Sequence, residues 1–404
     1  MIPYILYIVM TLILSILFDG REETRAKRAW YGITCFFLII LVGFRNGVGG
    51  DTQCYMVDFE YIPTLASDYR EYIRENFIMH SYMPGWSILN IVCKRLFDSF
   101  YAVQLIEAII VNTCIFYIFR KYTSRIFLCT LLFAFTGYLF IFNTEVMREA
   151  LAISIISVGM YKYLNGKKLT FYITILIGLT FHVSAIIALL FPLLKFCKNI
   201  SFKTLIYSFV GSFVLWLFSS VLMLYILNHL SGDIALLGKM ISYGDKMNNI
   251  FGFLESALRY LVAQAGIMYF AQFSPTKTEQ LKDHYAHYVG FFLLIAVFVC
   301  AIPGIYRFLN YTAVISIILV AEYVGSMKSQ LTNLAISKCV VLLIFSFYCC
   351  KYYYKVWPNS KRHNYEFFVP YYSILDENPN TEYRYYMWQD AVNREKTQKE
   401  SRGF

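Results

Sequence analysis

Charge is what this sequence has least of: Asp, Glu, Lys and Arg together make 15% of 404 residues, against 58% hydrophobic. So little hydrophilic mass excludes a large soluble catalytic domain and confines any chemistry to a bilayer or its surface. Polar/apolar alternation is missing too, and the apolar runs are about twice the length of a barrel strand, so they read as helices rather than strands. CxxC pairs are absent; the ten cysteines lie mostly inside apolar runs, with Cys54 alone in the first large loop, which indicates neither a metal site nor a disulfide framework. The first run, Ile2 to Phe18, lacks a basic start and a small-x-small cleavage site, and is read as a retained helix.

What is present is a series of apolar stretches long enough to span a membrane, beginning near Ile2, Tyr31, Tyr101, Ile126, Met147, Thr204, Phe253, His284, Phe308 and Ser329. They predict an all-α, polytopic integral membrane protein with about 11–13 transmembrane helices over 1–350, followed by a Tyr-rich, charged tail over 351–404. The net charge of +10 would suggest nucleic acid in a soluble protein. Here Lys and Arg cluster in short loops, so cytoplasmic placement of those loops explains them and no nucleic-acid partner is expected.

That rule makes the loop Asp19 to Arg28 cytoplasmic and places Arg45 to Ser81, with three Arg against six acids, on the outer side. Basic clusters at Arg120–Arg125, Lys162–Lys168 and Lys195–Lys203 are also expected inside. The turn at Asn143–Met147 is then outside. Leu169 to Lys195 must leave and return in too few residues for two crossings of about 20 each, which predicts two half-helices meeting near His182. Two conflicts stay open. If both 84–97 and 101–119 cross, Arg120 falls on the wrong side. Helix parity puts the tail outside, whereas Lys351, Lys355, Lys361 and Arg362 argue for inside.

Charges in or at the mouths of membrane helices are costly, so each is a functional candidate. Arg45 leaves a helix into the glycine-rich turn Asn46–Asp51, where backbone amides can face an anion and Asp51 adds a carboxylate; the plain alternative is a snorkelling arginine. Arg148 opens a helix, against the helix dipole, and asks for compensation from Glu145, Glu149 or a bound phosphate. His182, at the apex of the broken hairpin, is either a satisfied structural histidine or a proton-transfer group. Arg307, beside Tyr306, precedes another helix on the same predicted side. Four such groups converging on one outer cavity suit an anionic substrate.

The stretch Arg45 to Tyr55 (R-x-G-x-G-G-D-x-x-x-Y), the VMREALAISI run from Val146 to Ile155 and the FHVSA turn from Phe181 to Ala185 occur in the order seen in EpsG-like, Wzy-type polysaccharide polymerases, which the chain resembles from about Phe44 to Tyr311. It departs from them at Glu149, where an uncharged amide is frequent, and at Gly50, where a small hydroxyl residue is common. The resemblance implies a glycosyltransferase-C-like enzyme of the bacterial inner membrane, working on its outer face without a cofactor or metal. Its partners would be donor and acceptor glycans on undecaprenyl diphosphate, the lipid bilayer and a chain-length regulator protein. On that reading Arg148, Arg307 and Arg45 bind diphosphate, and His182 or Asp51 takes the acceptor's proton. Glu145, Glu149 and Tyr306 support them, and Tyr55, Tyr61, Tyr69 and Tyr72 are candidates for stacking on sugars. A lipid-linked-oligosaccharide flippase is the rival, since broken helices and intramembrane charges also mark transport sites; it would predict internal repeats, and no second copy of these stretches is found.

Overall fold

A computed structural model describes residues 2–196, 200–229, 250–271, 279–302, 305–326, 364–377 and 379–400 of the protein; among them the ordered elements are helices, with no strand. They form two units, 1–186 with 346–404, and 187–345. The tail that composition sets apart therefore belongs to the first unit.

The first unit begins with α1 (Ile2–Phe18) and α2 (Arg25–Gly43), whose N-terminus is capped by the Thr24 hydroxyl accepting from the Lys27 amide at 3.1 Å. Next come α3 (Gly50–Glu60), α4 (Tyr69–His80), α5 (Pro84–Phe97) and α6 (Phe100–Tyr122). The short α7 (Ile126–Phe135) is followed, after a bend of 83°, by α8 (Tyr138–Phe140) and a π-helical turn, Ile141–Glu145. Gly137 makes that bend possible at φ 77, which a side chain would resist. α9 (Met147–Leu164) and α10 (Lys168–Phe181) follow, and the helix breaks at His182, in extended conformation, before a 3-10 segment over Val183–Phe196. The break falls where the predicted half-helices meet.

Side-chain contacts fix the two ends of this unit. At one end, Arg120 pairs with Glu23 at 2.7 Å and Lys27 Nζ donates to the Ser124 carbonyl at 2.7 Å. Asp19 there accepts the Phe127 and Leu128 amides at 3.2 and 2.7 Å, capping α7. This basic end unites two loops expected on one side. At the other end, the Tyr101 hydroxyl donates to Asn46 at 3.0 Å and Gln104 donates to the Arg45 carbonyl at 3.1 Å. α6 thus runs the full distance between the ends, and its 23 residues cover about 35 Å. α5, at 14 residues, covers about 21 Å, short of a hydrocarbon core of about 30 Å. Lys94, near its C-terminus, bonds Asp98 at 2.9 Å and reaches Glu60 at 3.7 Å, and Arg95 reaches the Thr64 carbonyl, so α5 stays at the Arg45 end. α6 is long and apolar enough to cross and α5 is not, which removes the conflict over Arg120.

The second unit comprises α11 (Phe202–His229), α12 (Ile250–Ala257) running through a π-helix (Leu258–Gln264) into α13 (Ala265–Ala271), α14 (Glu279–Ala301), a 3-10 turn (Tyr306–Thr312) and α15 (Ala313–Ser326). Trp216 and Phe213 pack on Phe253, and His287 bonds the Phe191 carbonyl at 2.7 Å. Five described helices are long and apolar enough to cross a membrane, six if the bent pair is one span. The expectation of 11–13 also counts shorter helices such as α1 and α10, and a segment from Ser329 that lies outside the described residues. In α11 just 6% of the most apolar window is buried, as lipid-facing side chains require.

Candidate functional site

The Arg45 end gathers most of the charged residues singled out in the sequence, and a glycine lets it close. Gly49, at φ 105, is so near the π-helical turn that a Cβ would lie 2.6 Å from Thr144 Cβ. This approach allows Glu145 to accept the Gly50 and Asp51 amides at 2.7 and 3.2 Å, while the Thr52 hydroxyl donates to the Thr144 carbonyl at 2.7 Å. The N-terminus of α3, expected to face an anion, is therefore capped by the protein's own carboxylate. Arg45 is 1% exposed and donates to the Val42 carbonyl, to Met147 Sδ at 3.3 Å and to Thr52 at 3.5 Å. It ties the turn to the start of α9 rather than facing outward.

Arg148, one turn beyond Glu145, is half-buried and aimed differently. Its Nε donates to the Tyr55 hydroxyl at 3.3 Å and one terminal nitrogen to the Ser81 carbonyl at 3.2 Å. The guanidinium stands 4.2 Å from the centroid of the Tyr82 ring and 5.5 Å from that of Tyr55. Aromatic faces and a carbonyl thus meet Arg148 where Glu145, Glu149 or a bound phosphate was expected, and Glu145 turns elsewhere. Asp51, half-buried in the first turn of α3, acts electrostatically on Arg148, Tyr55 and Glu145. Glu149 is 1% exposed on α9.

The same aromatics wall a small cleft between α3 and α5, lined by Tyr55, Asp58, Tyr82, Trp86 and their neighbours. Tyr82 donates its hydroxyl to Asp58, and burial pushes that phenol far up, so it keeps the proton it donates. Burial, with Asp58 alongside, pushes the Cys54 thiol up to about 12, which removes it as a thiolate nucleophile. Tyr72 lines the cleft as well, whereas Tyr61 is 76% exposed.

His182 ends α10 at the same end of the unit, where Thr180 abuts Gly85 at the start of α5. Its Nδ1 lies 2.6 Å from the Ser184 hydroxyl and accepts the Ser184 amide at 3.3 Å. A neutral imidazole that accepts at Nδ1 carries its proton on Nε2.

The profile of the EpsG family matches residues 28–373, most of the chain. The chain belongs to the EpsG family. No curated protein and no solved structure matches it. EpsG proteins are Wzy-polymerase-like, and membership carries a polysaccharide-polymerase-like role.

The matched region of this EpsG-family chain ends at the residue that locks its tail in place: Ser373 forms an antiparallel bridge with Arg45. Around it, the Asn46 amide donates to the Tyr372 carbonyl at 2.8 Å and the Gly49 amide to the Phe367 carbonyl at 2.9 Å. Val48 packs in an apolar cluster with Phe367, Phe368 and Met387. Arg384, fully buried, donates to the carbonyls of Gly47 at 3.1 Å, Glu366 at 3.0 Å and Pro370. The described tail thus sits at the Arg45 end, in agreement with helix parity. The flanking charges that argued otherwise lie outside the described residues.

Arg307 and the 44%-exposed Tyr306 belong to the second unit, at the start of its 3-10 turn. Arg45, Asp51, Glu145, Arg148, Glu149 and His182 belong to the first. Sequence reasoning missed Arg384 and the α5 face carrying Trp86, Ser87 and Asn90. A signal for that face existed: Trp86 and Asn90 are four residues apart, on one side of a helix too short to cross.

Proposed function

We propose that this protein is a membrane glycosyltransferase that joins oligosaccharide repeat units, carried on undecaprenyl diphosphate, into surface polysaccharide on the outer face of a bacterial inner membrane. The observation that supports it most directly is Arg148: a guanidinium held by Tyr55, Tyr82 and Ser81, within electrostatic reach of Asp51. A fixed cation at an apolar site suits a diphosphate leaving group, because it stabilises the charge that grows there without reorganising.

In the reaction, an acceptor hydroxyl oxygen bonds to the anomeric carbon of the donor glycan. The bond from that carbon to the diphosphate breaks, and its electron pair leaves with the diphosphate towards Arg148. The hydroxyl proton goes to a carboxylate, and Asp51 takes this role. His182, protonated at Nε2, is set to donate to a phosphate oxygen instead of accepting. Arg45 supports the turn.

Polymer length in cells carrying Arg148→Ala, read as a gel ladder with membrane levels of the protein checked alongside, tests this. The ladder collapses to single repeat units, a loss of at least about a hundredfold in polymerisation. Arg148→Lys recovers little, since an ammonium cannot reproduce the stacked, forked contact. An unchanged ladder, or lipid-linked units stranded on the cytoplasmic face, would return the site to transport, the reading that the break at His182 favours.

A further inference from the structure

Resting on the polymerase reading, we infer that Glu107 is a positioning residue of the site: its carboxylate is the counter-charge of buried Arg45, and through that guanidinium it holds the backbone that carries Asp51 and Arg148. Glu107 lies on α6, a helix long and apolar enough to cross, about 10 Å past Phe100 along its axis. It is 0% exposed, and neither carboxyl oxygen has a hydrogen-bond partner among the described residues. An ionisable group at that depth is costly, and its presence points to a partner and a task.

Packing brings the two charges together. The end of α2 lies so close to α6 that a Cβ on Gly43 would stand 2.8 Å from Leu105 Cδ1 and 3.3 Å from Leu105 Cα, and Gln104 donates to the Arg45 carbonyl at 3.1 Å. Glu107, three residues on from Gln104, shares that face of α6. The atoms left without hydrogen bonds there are complementary: Arg45 Nε is a donor, whereas Gln104 Oε1 and both Glu107 oxygens are acceptors. Of the groups acting electrostatically on Arg45, Glu107 stands first, ahead of Tyr4, Tyr371 and Glu145, and Arg45 acts on Glu107 in turn. No direct ion pair joins the two among the described residues, so the attraction acts through space, where an apolar surrounding strengthens it.

The hydrogen bonds of Arg45 show what this attraction holds. All go to neutral groups: the Val42 carbonyl, the Thr52 hydroxyl and Met147 Sδ. Thr52 follows Asp51 and Met147 precedes Arg148, so a guanidinium displaced for want of its counter-charge moves the proposed base and the proposed diphosphate ligand together. Glu145 does not replace Glu107, because its oxygens accept the Gly50 and Asp51 amides.

The test separates charge from shape at position 107, with polymer read as a gel ladder and folding as membrane level and thermal unfolding of the full chain in detergent. Glu107→Gln keeps the shape, loses the charge and lowers polymerisation at least about tenfold. Glu107→Asp is shorter but keeps the charge, and it recovers most of that loss. A Glu107→Gln ladder like the wild type's, or a Glu107→Asp ladder no better than the Gln variant's, overturns the proposal, since a space-filling residue gives those results. If neither variant accumulates, the double variant Glu107→Gln/Arg45→Gln decides: with both charges gone it accumulates and melts above Glu107→Gln, and a double variant no more stable than Glu107→Gln overturns the pairing. The polymerase reading fails separately. A collapsed Arg148→Ala ladder beside a wild-type ladder for Glu107→Gln rejects the positioning role alone, and a double variant that melts above Glu107→Gln beside a normal Arg148→Ala ladder rejects the polymerase alone.

Discussion

At the basic end of the first unit Arg120 meets Glu23 with about half of each side chain exposed (49% and 53%), whereas at the other end Arg45 and Arg384 are buried at 1% and 0%. The first arrangement is replaceable: an exposed pair contributes about 0–1 kcal/mol and is screened by salt. The second is not, because each buried arginine is held in part by an acceptor that the fold must bring from a distant part of the chain, Met147 for Arg45 and the Gly47 carbonyl for Arg384. Exposed positive charge of the kind found at the basic end is what the positive-inside rule counts when it assigns orientation. At the Arg45 end, buried Arg384 lies over Tyr372 and Tyr383 and ties backbone carbonyls together, whereas half-buried Arg148 stands over Tyr55 and Tyr82, two walls of the cleft.

The largest effect on this contrast is expected from Arg384→Ala, which strips the Gly47, Glu366 and Pro370 carbonyls of their donor and leaves a void. It should cost more than about 3 kcal/mol. Thermal unfolding in detergent measures this, with the polysaccharide ladder lost in parallel; unchanged stability would mean the tail does not clamp the turn. Next comes a pair of glycines, one at each end. Gly49→Ala meets Thr144 as well as a φ of 105, and is expected to cost about 2–4 kcal/mol and shorten the polymer. Gly166→Ala, at φ 82 in the basic loop after α9, meets nothing within 4 Å and should cost about 1 kcal/mol with normal polymer. Equal losses of stability or activity would show that the close approach to Thr144 is not what matters. Smallest is Arg120→Ala, at about 0.5 kcal/mol, with an unchanged ladder and a melting temperature insensitive to salt.

Much of this was legible in the chain. The all-α membrane class follows from runs with too few charges to be solvated, and the break at His182 follows from a segment too short to cross twice. The grouping of Asp19–Arg28 with Arg120–Arg125 follows from charge sign, and the Glu23–Arg120 pair bears it out. The motifs Arg45–Tyr55, Val146–Ile155 and Phe181–Ala185 all lie within the EpsG family match and in the first unit. Their division of labour was not legible. Glu145 looked like the partner of Arg148 because the two are close in sequence, yet its carboxylate turns to the Gly50 and Asp51 amides nearly a hundred residues away. Arg45 looked like an anion ligand because glycines follow it, yet those glycines serve the close packing of α3 on the π-helical turn. The aromatic cleft is not legible because its walls come from α3, α5 and the segment between them, and no sequence pattern records that contact.

The sequence by itself determined what is additive and local: hydropathy, charge sign and segment length are sums over neighbours, and they decide solvent, helix class and sidedness. The tertiary structure alone decided which of several similar charges is buried as a strut and which stands half-buried against aromatic rings. Direction and burial of a side chain depend on backbone that arrives from elsewhere in the chain. Here that backbone is the tail around Ser373 for Arg45 and the Tyr55–Tyr82 wall for Arg148.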